Sequence, residues 1–129
     1  AEAGPDCTGG CVIVLPFPPS ANRYWRHPTK GALAGRHLIS ADGRVFRDQV
    51  MRNAQAEHWP SFNPDQRLRV RILAFMPDKR RRDLDNLLKS AMDALTHAGV
   101  WADDSQIDSL LIERAPTLGG MLKVEVEAL

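Results

Sequence analysis

RLRVRILAFMPDKRRRDLDNLLKSAMDALTHAGVWADD, residues 67 to 104, runs through a strand, a short connection, a helix and a turn. Leu68, Val70 and Ile72 fall on one side of an extended chain, and Arg67, Arg69 and Arg71 fall on the other. This alternation predicts a half-buried strand with a basic outer face over 67–76. From Leu84 the period changes. Leu84, Leu87, Leu88, Ala91, Leu95 and Ala98 recur at helical spacing, and Gly99 supplies a C-terminal stop. A helix is therefore expected over 84–98, reached through the tight connection Pro77 to Arg82. In the turn that follows, Val100 to Asp104, Trp101 is expected to plug the core.

Outward from this stretch the signals are shorter. Strands are expected around 107–113 and 121–126; in the second, Leu122, Val124 and Val126 alternate with Lys123, Glu125 and Glu127. Gly119-Gly120 before it reads as a hairpin signal. Upstream, CVIVL (11–15) reads as a buried strand, halted by Pro16, Pro18 and Pro19, which cannot donate to a ladder. Ser40 is suited to cap a helix reaching about His58, with Val45, Phe46, Val50 and Ala54 on one face. Within residues 20–40, PTKGALAG (28–35) reads as an exposed loop and the segment expected to be most mobile. Phe17, Phe46 and Phe75 read as core. The order β-α-β-α-β-β predicts an α+β single domain: one mixed sheet of about four strands with two helices on a face. It would span 11–129, behind a flexible leader, 1–10, whose Cys7 and Cys11 are expected as reduced thiols, ahead of a small disulfide loop.

The chain has 129 residues, of which 43% are hydrophobic and 26% charged, values that argue against disorder and against a collagen-like or disulfide-dense chain. No apolar run approaches the roughly 18 residues of a membrane span, and the first residues lack the pattern of a secretory signal. A cytoplasmic protein with no membrane partner is expected. The net charge of +1 hides a division. Residues 23–82 carry 14 Lys/Arg against 5 acids, whereas residues 83–129 carry 3 against 9. A basic stretch followed by an acidic one suggests a polyanion partner next to carboxylates with a separate task. Thirteen of the 17 basic residues are Arg, whose planar fork suits phosphate.

The two stretches meet in RRRDLDNLLK, residues 80–89. On a regular helix Asp83 and Asp85 would point roughly 200° apart. At an extended entry into a helix, residues i and i+2 share a side, so both carboxylates can face one ion. Lys89 lies one turn beyond Asp85. The same residues equally suit plain helix chemistry, with Asp83 as a cap and Asp85–Lys89 as an i,i+4 ion pair continued by Asp93. Asp103 and Asp104 form a second carboxylate pair just past the helix. Three or four oxygen donors favour Mg²⁺ or Mn²⁺ over zinc. Lys79, Arg80, Arg81 and Arg82 then supply cations for a polyanionic substrate. Arg69 and Arg71 are either DNA contacts or a solvated strand face that resists aggregation. Asn22 and Arg23 are candidate DNA contacts, against a reading in which Asn22 closes a turn and Tyr24 packs on the sheet. His27 and His37 are either phosphate contacts or plain loop histidines, and the lack of a partner at fixed spacing in the sequence favours the second.

MPDKRRRDLDNLLKSAMDALTHAGVWADDSQI (76–107) closely resembles the signature of the RusA family of Holliday junction resolvases, endonucleases of bacteria and their phages. LPFPPSANRYWRH (15–27) and SADGRVFRDQV (40–50) resemble that family's N-terminal motifs, in the same order. The resemblance implies a Mg²⁺-dependent homodimer that resolves four-way junctions by paired nicks. It implies Asp83, Asp85 and Asp104 as catalytic, metal-holding carboxylates, Lys89 as the catalytic lysine and Arg82 as a DNA contact. The Cys7/Cys11 leader and a longer loop at 28–36 depart from the family pattern. The other classes the residues allow are a DNA-binding module without catalysis and a Mg²⁺-dependent nuclease for flaps or other branched DNA.

Overall fold

In chain order the elements are β1 (Cys11–Pro16), α1 (Ala21–Tyr24), β2 (Trp25–Arg26), β3 (Leu38–Ile39), α2 (Ala41–Glu57), β4 (Leu68–Phe75), α3 (Leu84–His97), β5 (Ile107–Ala115) and β6 (Met121–Ala128). They belong to a computed structural model that describes residues 10–36 and 38–129. Four strands make one mixed sheet in the order β1-β6-β4-β5, with β5 parallel to β4 and both other pairings antiparallel. Leu68, Val70, Ile72, Leu122, Val124 and Val126 are all buried, and α2 and α3 cover that face through Phe46, Val50, Leu87, Ala91 and Leu95. The α+β class, the mixed four-stranded sheet and the two long helices agree with the sequence reading. No helix among the described residues is long and apolar enough to cross a membrane.

Gly119-Gly120 is not the tip of a β5–β6 hairpin. After α3, β5 returns parallel to β4, so the chain passes over the end of β4 and β6 runs back on its other side. The Leu118 N–H donates to the Met76 carbonyl at 3.0 Å on the way. Gly120 has φ +79°, and a Cβ there would stand 2.8 Å from the Pro77 Cβ, so the crossing excludes a side chain. Charge favours this placement of β6. Arg69 lies opposite Glu127 and Arg71 opposite Glu125, with ion pairs at 3.1 and 3.6 Å.

The 28–35 stretch is the exposed loop expected from its composition, with Pro28 half-buried. Ordered elements flank it: α1 and a two-stranded ribbon, β2–β3, which pairs Trp25 with Ile39 and Arg26 with Leu38. The Ser40 N–H donates to the Tyr24 carbonyl at 2.8 Å, and the Ser40 hydroxyl oxygen accepts from the Gly43 N–H at 3.0 Å, which is the expected cap of α2. Gly43 is required by proximity: a Cβ there would lie 2.7 Å from the Ile39 Cγ1 and closer still to the Tyr24 carbonyl oxygen. The first turn of α2 thus sits directly on Tyr24. Residues 29–36 are exposed, and His37 lies outside the described residues.

Other departures are small. Val45 is exposed, because α2 turns Phe46 and Val50 inward, and Phe17 and Phe75 are only half-buried. Cys11 is disulfide-bonded, which corrects the expectation of a reduced thiol at that position. Cys7 and nearly all of the expected leader, 1–10, lie outside the described residues.

Candidate active site

The connection from β4 to α3 is built on Asp78. Its carboxylate accepts from the Arg80 backbone N–H at 2.9 Å, an Asx-type turn, and from both terminal nitrogens of Arg82 at 2.5 and 3.2 Å. Arg82 therefore does not project into solvent. Its guanidinium lies 5.4 Å from the centre of the Phe17 ring, and its carbonyl accepts from Arg114 at 2.8 Å. The Arg82 guanidinium, with the Arg80 N–H, holds the Asp78 carboxyl well below the usual carboxylate range. With Arg82 folded inward, Lys79, Arg80 and Arg81 are left as the exposed cations of the connection. Sequence reasoning missed Asp78, although its i,i+4 spacing to Arg82 was a visible signal.

Asp83 enters α3 in an extended conformation, φ −89° and ψ 132°, and Asp85 follows in the first helical turn. This is the extended entry expected from the pair's spacing. The side chain of Asp83 makes no capping hydrogen bond, so the capping reading is not realised. Neither Asp83 nor Asp85 has a side-chain partner among the described residues. Asp83 lines a cleft of about 510 Å³ together with Pro18, Pro19, Arg23, Arg81 and Asn86. Arg23 also pairs with Asp42 at 3.1 Å, both side chains being well exposed, and Asn22 is exposed on α1.

At the other end of α3, a second cavity of about 620 Å³ is lined by Lys89, Asp93, Thr96, Asp103 and Asp104, with Trp25 among the apolar walls. The Asp103–Asp104 turn is rigidly held. Buried Gln106 accepts at its side-chain oxygen from the Ala102 and Asp103 N–H groups at 2.8 and 3.1 Å. Its amide nitrogen donates to the Asn63 and Gln66 carbonyls at 2.9 and 3.0 Å. Trp101, 1% exposed, fills the core beneath and donates from Nε1 to the Thr96 hydroxyl at 2.6 Å. The Ser105 hydroxyl donates to Asp103 at 2.6 Å and is the chief reason its carboxyl lies below the ordinary value. Asp103 is thus engaged locally. Asp104 opens the short helical turn that leads into β5.

The structure brings Lys89 and Asp104 into one cavity, and Asp83 and the arginines into a separate cleft, with Asp85 on α3 between Asp83 and Lys89. It does not bring Arg69 or Arg71 there. Both occupy the sheet face opposite the helices and are paired with Glu127 and Glu125. Nor does it form the Asp85–Lys89–Asp93 ladder of the alternative, plain-helix reading: Asp93 is taken by Arg47 at 2.6 Å. Asp83, Asp85 and Asp104 offer only oxygen donors, and this chemistry fits a hard divalent cation. Among the described residues no three acidic, His or Cys side chains converge closely enough to hold an ion in the present arrangement.

Comparison with known proteins bears on this geometry. The family model of endodeoxyribonuclease RusA matches residues 16–127. Crossover junction endodeoxyribonuclease RusA of Shigella sonnei is 45% identical over 118 residues, covering 88% of this chain and 91% of the relative. The Escherichia coli K12 protein of the same name is 44% identical over the same length and shares. That of Enterobacteria phage 82 is 44% identical over 115 residues, again covering 88% and 91%. The matched span includes the basic connection, the Asp83–Lys89 turn and the Asp103–Asp104 turn, and the chain belongs to the RusA endodeoxyribonuclease family.

Proposed function

We propose that this chain is a Mg²⁺-dependent endonuclease that resolves four-way DNA junctions, acting as a homodimer in the cytoplasm of a bacterial cell, on bacterial or phage DNA. The observation that carries the reading is the likeness to crossover junction endodeoxyribonucleases across 88% of the chain. Asp83, Asp85 and Asp104 would hold the cation, with Mn²⁺ as a substitute. When bound, a divalent cation supplies activation of the attacking water and neutralisation of charge at the scissile phosphate. Lys89 stabilises the charge that grows on the non-bridging phosphate oxygens as the phosphodiester is attacked in line. Lys79, Arg80 and Arg81, with Arg23 across the cleft and Asn22 beside it on α1, grip the backbone, and Arg82 shapes the connection that presents them. Such contacts make binding fall steeply with salt. A four-way junction has two-fold symmetry, so a C2 dimer sets equivalent sites on opposed strands.

The test uses the purified chain with a synthetic four-way junction, in Mg²⁺ and in EDTA, with linear duplex and flap DNA as competitors. Paired nicks in Mg²⁺, none in EDTA, and little competition from linear duplex or flap are expected. Binding without cleavage in Mg²⁺ would make the chain a DNA-binding module. Preferred cleavage of the flap would make it a nuclease of a different specificity. Sedimentation returning a monomer at micromolar concentration would overturn the dimer.

A further inference from the structure

Asp93 lies one helical turn beyond Lys89 on α3, at the i,i+4 spacing at which a carboxylate and an ammonium pair. Both line the cavity that contains Asp104. Yet Asp93 does not pair with Lys89. Its Oδ2 accepts from Arg47 Nε at 3.2 Å, from Arg47 Nη2 at 2.6 Å, and from the Tyr24 hydroxyl. The three donors come from two elements outside α3. Tyr24 is fully buried at the end of α1, with its ring edge-on to Phe46 and Trp25. Arg47 follows Phe46 on α2, and its side chain, like that of Asp93, is about three-quarters shielded. Burial, reinforced by the Asp93 carboxylate, pushes the Tyr24 phenol well above its ordinary value, so it remains a donor. Lys89 is left exposed, with no ion-pair partner among the described residues.

We infer that Arg47 and Tyr24 are positioning residues that hold the Asp93 carboxylate away from Lys89 and so keep the Lys89 ammonium available for the scissile phosphate. The inference rests on the role given to Lys89 above. The reasoning is one of competition. A carboxylate at i+4 is a permanent, intramolecular rival to the phosphate for one ammonium. Engaging Oδ2 of that carboxylate from α1 and α2 turns it from the ammonium without removing α3's tie to the other helices; Asp85, the carboxylate one turn before Lys89, is assigned to the cation. The arrangement also explains why an acid stands at a place where it would otherwise neutralise the lysine.

The test is single-turnover cleavage of a four-way junction at saturating protein, well below the melting temperature of each variant. Arg47→Met should lower the rate by about ten- to a hundredfold, with junction affinity held within about threefold. Arg47→Lys, which keeps the charge, should recover much of the rate, and Asp93→Asn added to Arg47→Met should restore most of it. In a Lys89→Ala background, Arg47→Met should cost nothing further, because the ammonium it protects is gone. An equal loss in that background would assign Arg47 to structural support alone and overturn the inference, as would an unchanged rate in Arg47→Met. Should Arg47→Met not fold, Tyr24→Phe removes one donor at little cost in packing and should show a smaller loss in the same direction; no loss would overturn the inference. Lys89→Ala with full activity would instead remove the role of Lys89, a failure read from that single variant and distinct from the others.

Discussion

Asp83→Asn and Asp85→Asn are each expected to reduce junction cleavage by about 10²-fold or more, the scale seen when a group that meets developing charge is removed. Junction binding should survive, since Lys79, Arg80 and Arg81 are untouched. Asp83 occupies the N-cap position of α3 but its side chain accepts no capping hydrogen bond, and Asp85 has no partner among the described residues. Loss of a working cap costs about 1 kcal/mol, whereas removal of an exposed, unpartnered charge stays within about 0.5 kcal/mol. Denaturant midpoints should therefore barely move while the rate collapses. A stability loss with normal cleavage would return both residues to the role of helix-end charges.

Trp101→Ala should destabilise the fold by about 3–5 kcal/mol, the usual cost of truncating a buried aromatic. Trp101 is 1% exposed, and its indole N–H is spent on Thr96, whose hydroxyl in turn donates to the Met92 carbonyl at 2.9 Å. Val100 before it is also buried and accepts from the Phe62 N–H at 2.8 Å. The residue thus joins the end of α3, the 61–66 loop and the turn that carries Asp103 and Asp104. Urea unfolding followed by far-ultraviolet circular dichroism checks the magnitude. A loss under about 1 kcal/mol would mean that the cavity refills and that the turn is held chiefly by Gln106.

What was legible in the sequence was whatever depends on one buried face. The alternation of Leu68, Val70 and Ile72, the helical recurrence of Leu87, Ala91 and Leu95, and the Leu122–Val126 alternation each name the face that enters the core. The sheet order was not legible in the same way. Gly119-Gly120 is as good a signal for a crossing as for a hairpin, and the choice is made by remote strands, through β4's ladder and the Arg69–Glu127 and Arg71–Glu125 pairs. The site shows the same division. Asp83, Asp85, Lys89 and Asp104 stood out by local spacing, and the basic run by its charge. The partner of Asp93 did not, because Arg47 lies 46 residues away and meets it only once α2 packs on α3. The i,i+4 spacing allowed Asp93 to pair with Lys89 as one of two readings, and tertiary packing gave Asp93 to Arg47 instead.

On the proposed mechanism, carboxylates from two separate elements, the start of α3 and the turn before β5, serve one cation. Manganese binding measured by electron paramagnetic resonance, with the chain bound to an uncleavable four-way junction, tests it most directly. Asp83→Asn and Asp104→Asn should each weaken the same Mn²⁺ site by about tenfold or more. Wild-type Mn²⁺ binding in Asp104→Asn would contradict it.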